Sequence, residues 1–298
     1  MKKTHLETFG TQPQFHAQNL QAEMAQLQET RQQASPYSLM QSLPSPSTHP
    51  STPPTPCILS VVCGSRGWIW EIPRKNPGWH LHTIDESGVL LEYARAHEWL
   101  EGIDDAEGKL GQLLESLKTI PNGTFDLVHL SYVANYTPTS AFPALLQALG
   151  RVVRAGGILR WEEGELPCTT SVSIEQLVML TLCALENAGR GFPRLGCTPD
   201  ARNLSITLNM RNGLLSAGCQ RIQHVPVVIP VSARTTAYLP FCSRMRWLAQ
   251  QMQPLLVQAG ELTNEEFQEL YTQMSKELQN SLFHGTCFLH TFWGKKGA

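Results

Sequence analysis

The chain has 298 residues, of which 42% are hydrophobic, and its formal net charge at pH 7 is −2. This is enough chain for one large domain or two small ones, and the nearly balanced charge gives no indication of a nucleic acid or a membrane as partner. The eight cysteines form no CxxC pair and have no His cluster near them, which indicates reduced thiols and no metal site. The first residues, MKKTHLETFG, lack an apolar signal core, and no later stretch is long enough to span a membrane without charge or proline. We therefore expect a soluble, cytoplasmic protein.

Two segments precede the first predicted strand. Leu20, Met24 and Leu27 have the i, i+4 and i+7 spacing of one face of an amphipathic helix, which is predicted over 15–33. The Ser/Thr/Pro tract that follows cannot bury a core and is predicted to be a linker. The expected organisation is a helical segment at 1–34, a linker at 35–56 and a domain at 57–298.

The domain begins with ILSVVCGSRG at 58–67, which predicts a buried strand, a tight turn and the start of a helix. Glycine in such a turn lets the backbone approach a ligand closely, and the unpaired N–H groups of a helix start suit a polar or anionic ligand. A second strand, 80–84, ends at Asp85, about 20 residues after the turn, where Rossmann-type sheets place the carboxylate that holds ribose hydroxyls. The pair predicts a cofactor that contains a nucleoside.

The remaining pattern alternates between helices and strands. Strands are predicted at 125–133, 151–161, 220–231 and 285–293, and helices at 88–101, 139–153, 171–188, 203–217, 241–259 and 265–282.

With these motifs the chain resembles the class I S-adenosylmethionine-dependent methyltransferases of the methyltransferase-domain type. Members typically read VLDLGCGTG, a strand ending in ID, a GD pair, FDLV and LxPGGxL, and this chain has ILSVVCGSRG, HTID, LGQLLESL, FDLVHL and VVRAGGIL. The resemblance covers 58–161 and, more loosely, the tail FLHTFWGKKG. It implies an α/β, Rossmann-like class I methyltransferase fold with a mainly parallel seven-stranded sheet, an antiparallel last strand and helices on both faces.

The resemblance also implies S-adenosyl-L-methionine as the cofactor. The residues expected to bind it are Cys63, Gly64, Ser65, Gly67, Asp85, Glu86, Gln112, Leu113, Leu130 and Ser131. Gly111 and Gln112 stand where members have Gly-Asp in the turn after the third strand, so Gln112 and Leu113 are expected to border the adenine, with the amide of Gln112 as acceptor for the ring amino group. Asp104 and Asp105 compete for this role, although we interpret them as a solvated turn.

The reaction implied is an in-line attack by a nucleophilic atom of the acceptor on the activated methyl carbon, in which the protein mainly aligns the two molecules. The family has no fixed catalytic residue, so none is assigned. His129, Tyr132, His224 and His284 are conceivable bases, although each is more often structural in a domain of this size. Trp161, Glu162 and Glu163 end the fifth predicted strand and could face the acceptor, but a solvated edge is the commoner explanation for two adjacent carboxylates.

By the same resemblance, the predicted helices of 232–284 form an insertion that covers the acceptor site, and the helix at 15–33 lies over the cofactor mouth as a lid. That helix could equally pack on a sheet edge or be partly disordered. An apolar, aromatic-bearing cover suits a small organic acceptor better than a nucleic acid. No oligomeric state is predicted.

The first motif departs from the family at three positions. Ser60 stands where members carry an acidic residue, Val62 replaces the first glycine, and Arg66 occupies the place of the third. Two functions follow: an active methyltransferase, or a non-catalytic binding or regulatory module that has lost strong cofactor binding, which Ser60, Val62 and Gln112 together favour. A nicotinamide-dependent oxidoreductase is a weaker third interpretation, because CGS followed by FDLV and AGG fits the methyltransferase arrangement better.

Overall fold

The computed structural model of the chain describes residues 56–62, 79–85, 103–107, 110–134, 137–190 and 206–297. The predicted N-terminal helix, nearly all of the predicted linker, the glycine-containing turn at 63–67 and the predicted helix at 88–101 lie outside these residues. Within them, no helix is both long enough and apolar enough to cross a membrane.

The described elements follow the alternation predicted from the sequence. The strands are β1 (Cys57–Val62), β2 (His80–Asp85), β3 (Ile103–Glu107), β4 (Phe125–Ser131), β5 (Val153–Thr169), β6 (Cys219–Pro230) and β7 (Gly285–Lys296). The helices are α1 (Leu110–Thr119), α2 (Phe142–Val152), which directly follows a 3₁₀ turn at Thr139–Ala141, α3 (Val172–Asn187), α4 (Ile206–Ser216), α5 (Tyr238–Gln258) and α6 (Asn264–Glu277).

The seven described strands form one sheet in the order β3-β2-β1-β4-β5-β7-β6. The neighbours from β3 to β5 pair in parallel, and β7 is antiparallel to both β5 and β6. This arrangement confirms the predicted fold class. The strand order changes direction between β1 and β4, and open α/β sheets bind ligands in the crevice at the carboxyl ends of the strands at such a switch point.

One face of the sheet carries an apolar core. Its members on the strands include Leu59, Val61, Val128, Leu130, Leu159, Trp161 and Phe292, and its members on the helices include Leu113 and Leu117 of α1, Leu145 and Leu149 of α2, and Met210 and Leu214 of α4. The ring of Trp161 stacks on that of Phe142, with ring centroids 5.5 Å apart. These helices therefore hold β4 and β5 in place from one side.

The carboxylate of the FDLV motif anchors the amino-terminal ends of three strands. Asp126 accepts a hydrogen bond of 2.8 Å from the Cys57 N–H of β1, and its other oxygen accepts one of 2.6 Å from the Nε atom of Arg154 at the start of β5. Because these bonds lie at the end of the sheet opposite the crevice, Asp126 has a structural role.

A second apolar core joins α3 to α5 and α6. Its members include Ile174 and Val178 of α3, Phe241 and Met245 of α5, Phe267 and Met274 of α6, and Phe283. Thr263 and Glu266 form a capping box at the start of α6. At the other end of α6, the Glu277 carboxylate accepts hydrogen bonds from both hydroxyls of Ser171 and Ser173 at the start of α3. Two helices thus lie between β6 and β7, in the predicted insertion.

Three predicted local structures were wrong. Gly111 and Gln112 lie in the first turns of α1, not in a turn, and Asp104 and Asp105 lie within β3, paired with His82 and Thr83, not in a solvated turn. β5 does not end near Trp161 but continues to Thr169, because β7 pairs with it along this whole length.

The edge of the sheet at β6 contains two prolines. Pro226 and Pro230 are both paired in register with β7, while Val228 between them is 60% exposed. Proline in a sheet is confined to positions where its missing N–H would point away from the neighbouring strand. Outward-facing donors are therefore absent at two places along this edge.

Candidate functional site

The strand register brings the predicted crevice residues to one edge of the sheet. Val62 pairs with Asp85 on one side and with Ser131 on the other, and Ser131 pairs with Glu162. Asp85 and Ser131 therefore lie at adjacent carboxyl ends around β1. At residue 85 the structure describes the backbone alone.

The hydroxyl of Ser131 is a buried polar group at the switch point. Ser131 is fully buried, and within the described part of the chain its Oγ atom has no hydrogen-bond partner. An unsatisfied buried hydroxyl costs about 1–3 kcal/mol, so it is retained where a ligand or water completes its bonding. The position of this group agrees with the predicted cofactor contact.

A row of buried polar side chains crosses the other face of the sheet. Thr83, Ser60, His129 and Arg160 are successive partners in the register of β2, β1, β4 and β5. All four are buried, which is unusual because the centre of a parallel sheet is normally apolar on both faces. Ser60, the departure from the family's acidic position, thus belongs to a polar layer.

Arg160 is the charged centre of this layer. One terminal nitrogen of its guanidinium donates a 2.6 Å hydrogen bond to Glu162, and the other lies 2.8 Å from Nδ1 of His129. Because a guanidinium only donates, Nδ1 must be the acceptor, and the bond uses a lone pair that a general base would need. The contact therefore favours a structural role for His129.

Glu163 faces away from Arg160 and anchors the chain that follows β4. Its Oε1 atom accepts hydrogen bonds from the N–H groups of Val133 (3.0 Å) and Ala134 (3.1 Å) and from the Trp161 indole N–H (2.9 Å). Burial raises the pKa of the Glu163 carboxyl to about 8, an effect that these hydrogen bonds reduce and the nearby Glu162 carboxylate increases. Burial therefore favours the protonated, neutral form of this carboxyl.

The expectation of a solvated edge at these carboxylates was wrong. Glu162 is 0% exposed and Glu163 is 2% exposed, since β5 continues past them and pairs with β7. Adjacent residues of a strand point to opposite faces, so the two carboxyls have different surroundings. The Glu162 carboxylate is paired with the Arg160 guanidinium, and the Glu163 carboxyl accepts hydrogen bonds from uncharged N–H donors.

Tyr132 begins the segment that Glu163 holds. Its backbone is left-handed (φ 56°), a conformation that costs a residue with a side chain about 1 kcal/mol, and its N–H donates to the Glu162 carbonyl oxygen at 3.0 Å. A Cβ atom placed on Gly164 would lie 3.0 Å from the Tyr132 ring, so the ring packs directly on the β5 backbone. The guanidinium of Arg244 lies 4.9 Å from the ring centroid. Helix α5 thus reaches the carboxyl end of β4.

The two other conceivable bases lie away from the switch point. His224 is on the edge strand β6, where its Nε2 atom is 3.1 Å from Nδ1 of His290 and its ring stacks on Phe292. Burial and the neighbouring His290 lower the pKa of His224. His284 is exposed just before β7. Among the described residues, no three His, Cys, Asp or Glu side chains form a group that could hold a metal ion.

The structure leaves most predicted cofactor residues to further test. Cys63, Gly64, Ser65, Gly67 and Glu86 lie outside the described residues. The side chains of Leu113 and Leu130 pack in the apolar core, and Gln112 lies in the helix that also contains Leu113. The contacts of all these residues with a cofactor stay predictions.

Sequence reasoning missed the role of Glu163 and the contact between Gly164 and Tyr132. The sequence WEEGE contained a usable signal, because acidic residues and a glycine interrupt an apolar strand just where ligands bind in α/β sheets. The contact between Arg244 and the Tyr132 ring had no signal in the sequence, since the two residues are more than a hundred positions apart.

A family model described as a methyltransferase domain matches residues 58–157, from β1 to the start of β5. This is about one third of the chain, and it contains the switch point and its crevice. Residues 58–157 are therefore similar to the methyltransferase-domain family. The predicted resemblance to this family is confirmed over these residues, while enzymatic activity of the whole chain and S-adenosylmethionine as its cofactor stay predictions. No curated protein matches the sequence significantly.

Solved structures of similar fold include three methyltransferases. Phosphoethanolamine N-methyltransferase 2 from Haemonchus contortus, in complex with phosphomonomethylethanolamine and S-adenosylhomocysteine, is 14% identical with a TM-score of 0.43, covering 83% of this chain and 50% of its own. A SAM-dependent methyltransferase from Archaeoglobus fulgidus is 10% identical with a TM-score of 0.47, covering 96% of this chain and 100% of its own. Geranyl diphosphate C-methyltransferase from Streptomyces coelicolor A3(2) is 14% identical with a TM-score of 0.39, covering 91% and 81%. This chain thus spans about half the length of the Haemonchus enzyme, and such likeness says nothing about the acceptor.

Proposed function

We propose that this methyltransferase transfers the methyl group of S-adenosylmethionine to a small organic acceptor by in-line attack. The observation that carries the proposal is the Ser131 hydroxyl, which is buried without a partner in the described residues and lies at the switch point beside the end of β1. A cofactor bound there would supply the missing hydrogen bond.

The proposed work of the protein is alignment. The sulfonium of the donor is already a good leaving group, so the chain needs to hold the donor methyl and the attacking atom in line at close distance. We assign the ribose to Asp85 at the end of β2, and the methionine end to the turn that contains Gly64 and Gly67. A base is needed only where the attacking atom carries a proton, and Tyr132 is the candidate at the carboxyl end of β4.

We place the acceptor beneath the helices of 232–284. Arg244 of α5 contacts the Tyr132 ring, which supports a cover that extends to the crevice. The first turn of α6 carries Glu265 and Glu266, and such negative charge does not suit a nucleic acid surface. These features favour a small molecule as acceptor.

The test is isothermal titration of the full chain with S-adenosylmethionine, with S-adenosylhomocysteine and with NAD. We expect micromolar binding of the first two and none of NAD. Asp85→Ala should weaken binding by about 1.5–3 kcal/mol, which is about 10- to 150-fold, since it removes charge-assisted hydrogen bonds to the ribose. Glu115→Ala is the matched control, because that carboxylate is exposed on α1. Unchanged affinity of the Asp85 variant would refute the ribose assignment.

The alternative is a non-catalytic module of the same fold. It is favoured by Ser60, which puts a buried hydroxyl with no partner among the described residues where members carry an acid. A folded protein that binds neither S-adenosylmethionine nor S-adenosylhomocysteine would support this alternative and contradict the proposed activity.

A further inference from the structure

The segment Tyr132–Ala134 is held by hydrogen bonds to β5. The Tyr132 N–H donates to a backbone carbonyl of β5, that of Glu162, at 3.0 Å. The next two N–H groups, of Val133 and Ala134, both donate to one side-chain oxygen, Oε1 of Glu163. A carboxyl group thus takes the place of the backbone acceptors that a longer β4 would have used.

The position of this segment matters for the crevice because Ser131 directly precedes it. Tyr132 has a left-handed backbone, and such a conformation persists only where its surroundings fix it. The surroundings that fix it are Glu163, the flat backbone at Gly164 and the Arg244 guanidinium. Of these, Glu163 bonds directly to the backbone N–H groups of Val133 and Ala134.

We propose that Glu163 is a positioning residue of the cofactor crevice. Its oxygen fixes the backbone from Tyr132 to Ala134, and thereby holds Ser131 where S-adenosylmethionine binds, without contact between Glu163 and the cofactor. The proposal rests on the proposed function. It extends that function to a residue on the face of the sheet opposite the Arg160 layer.

The role requires a carbonyl-type oxygen and not a charge. Oε1 accepts N–H bonds from uncharged donors, as an amide oxygen would, and burial favours the neutral form of the carboxyl. Glutamine at this position keeps such an oxygen at the same reach. Aspartate withdraws it by one methylene group, and leucine removes it and leaves three N–H groups without an acceptor.

The experiment measures S-adenosylhomocysteine affinity and amide hydrogen exchange in the full-length chain and in Glu163→Gln, Glu163→Asp and Glu163→Leu. The matched control is Glu165→Leu, which removes from the same strand a carboxyl that accepts a hydrogen bond from the Thr207 hydroxyl. Thermal unfolding of every variant shows which are folded at the assay temperature.

We expect Glu163→Gln and the control to bind within about threefold of the unmodified chain, and Glu163→Leu to bind at least about tenfold more weakly, because a displaced Ser131 loses its bond to the ligand. The amides of Val133 and Ala134 should exchange slowly in the unmodified chain and in Glu163→Gln, and fast in Glu163→Leu. Glu163→Asp should have an intermediate affinity and intermediate exchange rates, and it replaces Glu163→Leu in the test if that variant does not fold.

The proposal is wrong if folded Glu163→Leu, or Glu163→Asp in its place, binds and exchanges like the unmodified chain. It is also wrong if Glu163→Gln loses as much affinity as Glu163→Leu, since charge would then be the requirement. If the unmodified chain binds no S-adenosylhomocysteine, the proposed function fails by itself. The amide exchange series still shows whether Glu163 fixes the segment.

Discussion

The raised pKa of the Glu163 carboxyl should make the free energy of unfolding of this chain fall as pH rises, and Glu163→Gln should remove that fall. Burial raises the pKa of the carboxyl from 4.5 to about 8 in the folded chain. In the unfolded chain the group is solvated and titrates near 4.5. Folding between these two values therefore takes up one proton.

The sign follows from proton linkage. Between pH 4.5 and about 8 the folded state binds the extra proton, so the free energy of unfolding decreases with pH, by about 1.4 kcal/mol for each pH unit. Below pH 4.5 both states are protonated, and above about 8 both are ionised, so the effect is constant outside the window. Across the window it amounts to about 5 kcal/mol.

Urea unfolding at a series of pH values measures this effect. The stability of Glu163→Gln relative to the unmodified chain should rise by about 5 kcal/mol from pH 4.5 to pH 8, apart from a pH-independent offset for the exchanged amide. Glu165→Gln, which removes another carboxyl from the same strand, is the matched control. If the free energies of unfolding of Glu163→Gln and the unmodified chain differ by the same amount at every pH, the carboxyl of Glu163 does not have a raised pKa in the folded chain.

Three further predictions concern other buried groups and one helix cap. Ser131→Ala should leave the free energy of unfolding unchanged or raise it, yet weaken S-adenosylhomocysteine binding about three- to tenfold in titration. The control Thr83→Val removes a buried hydroxyl of β2 that also has no partner among the described residues, and it should not change the affinity. Equal affinities of the two variants would contradict the assignment of Ser131 to the cofactor. Arg160→Met should lower the free energy of unfolding by about 3–5 kcal/mol in urea, since the Glu162 carboxylate loses its buried partner, and adding Glu162→Gln should recover most of the loss; a double variant no more stable than the single one would exclude the ion pair as the cause. Thr263→Ala should cost about 1 kcal/mol by the same measurement, with unchanged ligand affinity, and no loss would mean that the capping box does not stabilise α6.

The central strands were predictable because burial leaves a local mark in the sequence. Parallel strands covered on both faces are short apolar runs, and 58–62 and 125–131 have this form. The first turn of α6 was also local, since a capping box needs only four adjacent residues. The fold class follows from the order of such runs.

The errors lie where distant pairing or a motif outweighed local pattern. The length of β5 depends on β7, which is more than a hundred residues later, so neither the strand's end nor the burial of Glu163 could be inferred locally. Gly111 and Gln112 were assigned to a turn by likeness to a Gly-Asp pair. Leu110, Leu113 and Leu117 have helical spacing through the same stretch, and that pattern was the correct guide.

The prolines of β6 affect how the chain behaves at high concentration. An edge strand with a complete set of outward donors can serve as a template for a strand from another molecule. Here Pro226 and Pro230 leave Val228 as the one outward donor between them, so an incoming strand would find its carbonyl groups unmatched at every second position. The β6 edge is therefore poorly suited to the addition of a strand from another molecule, whereas β3 forms the other edge of the described sheet.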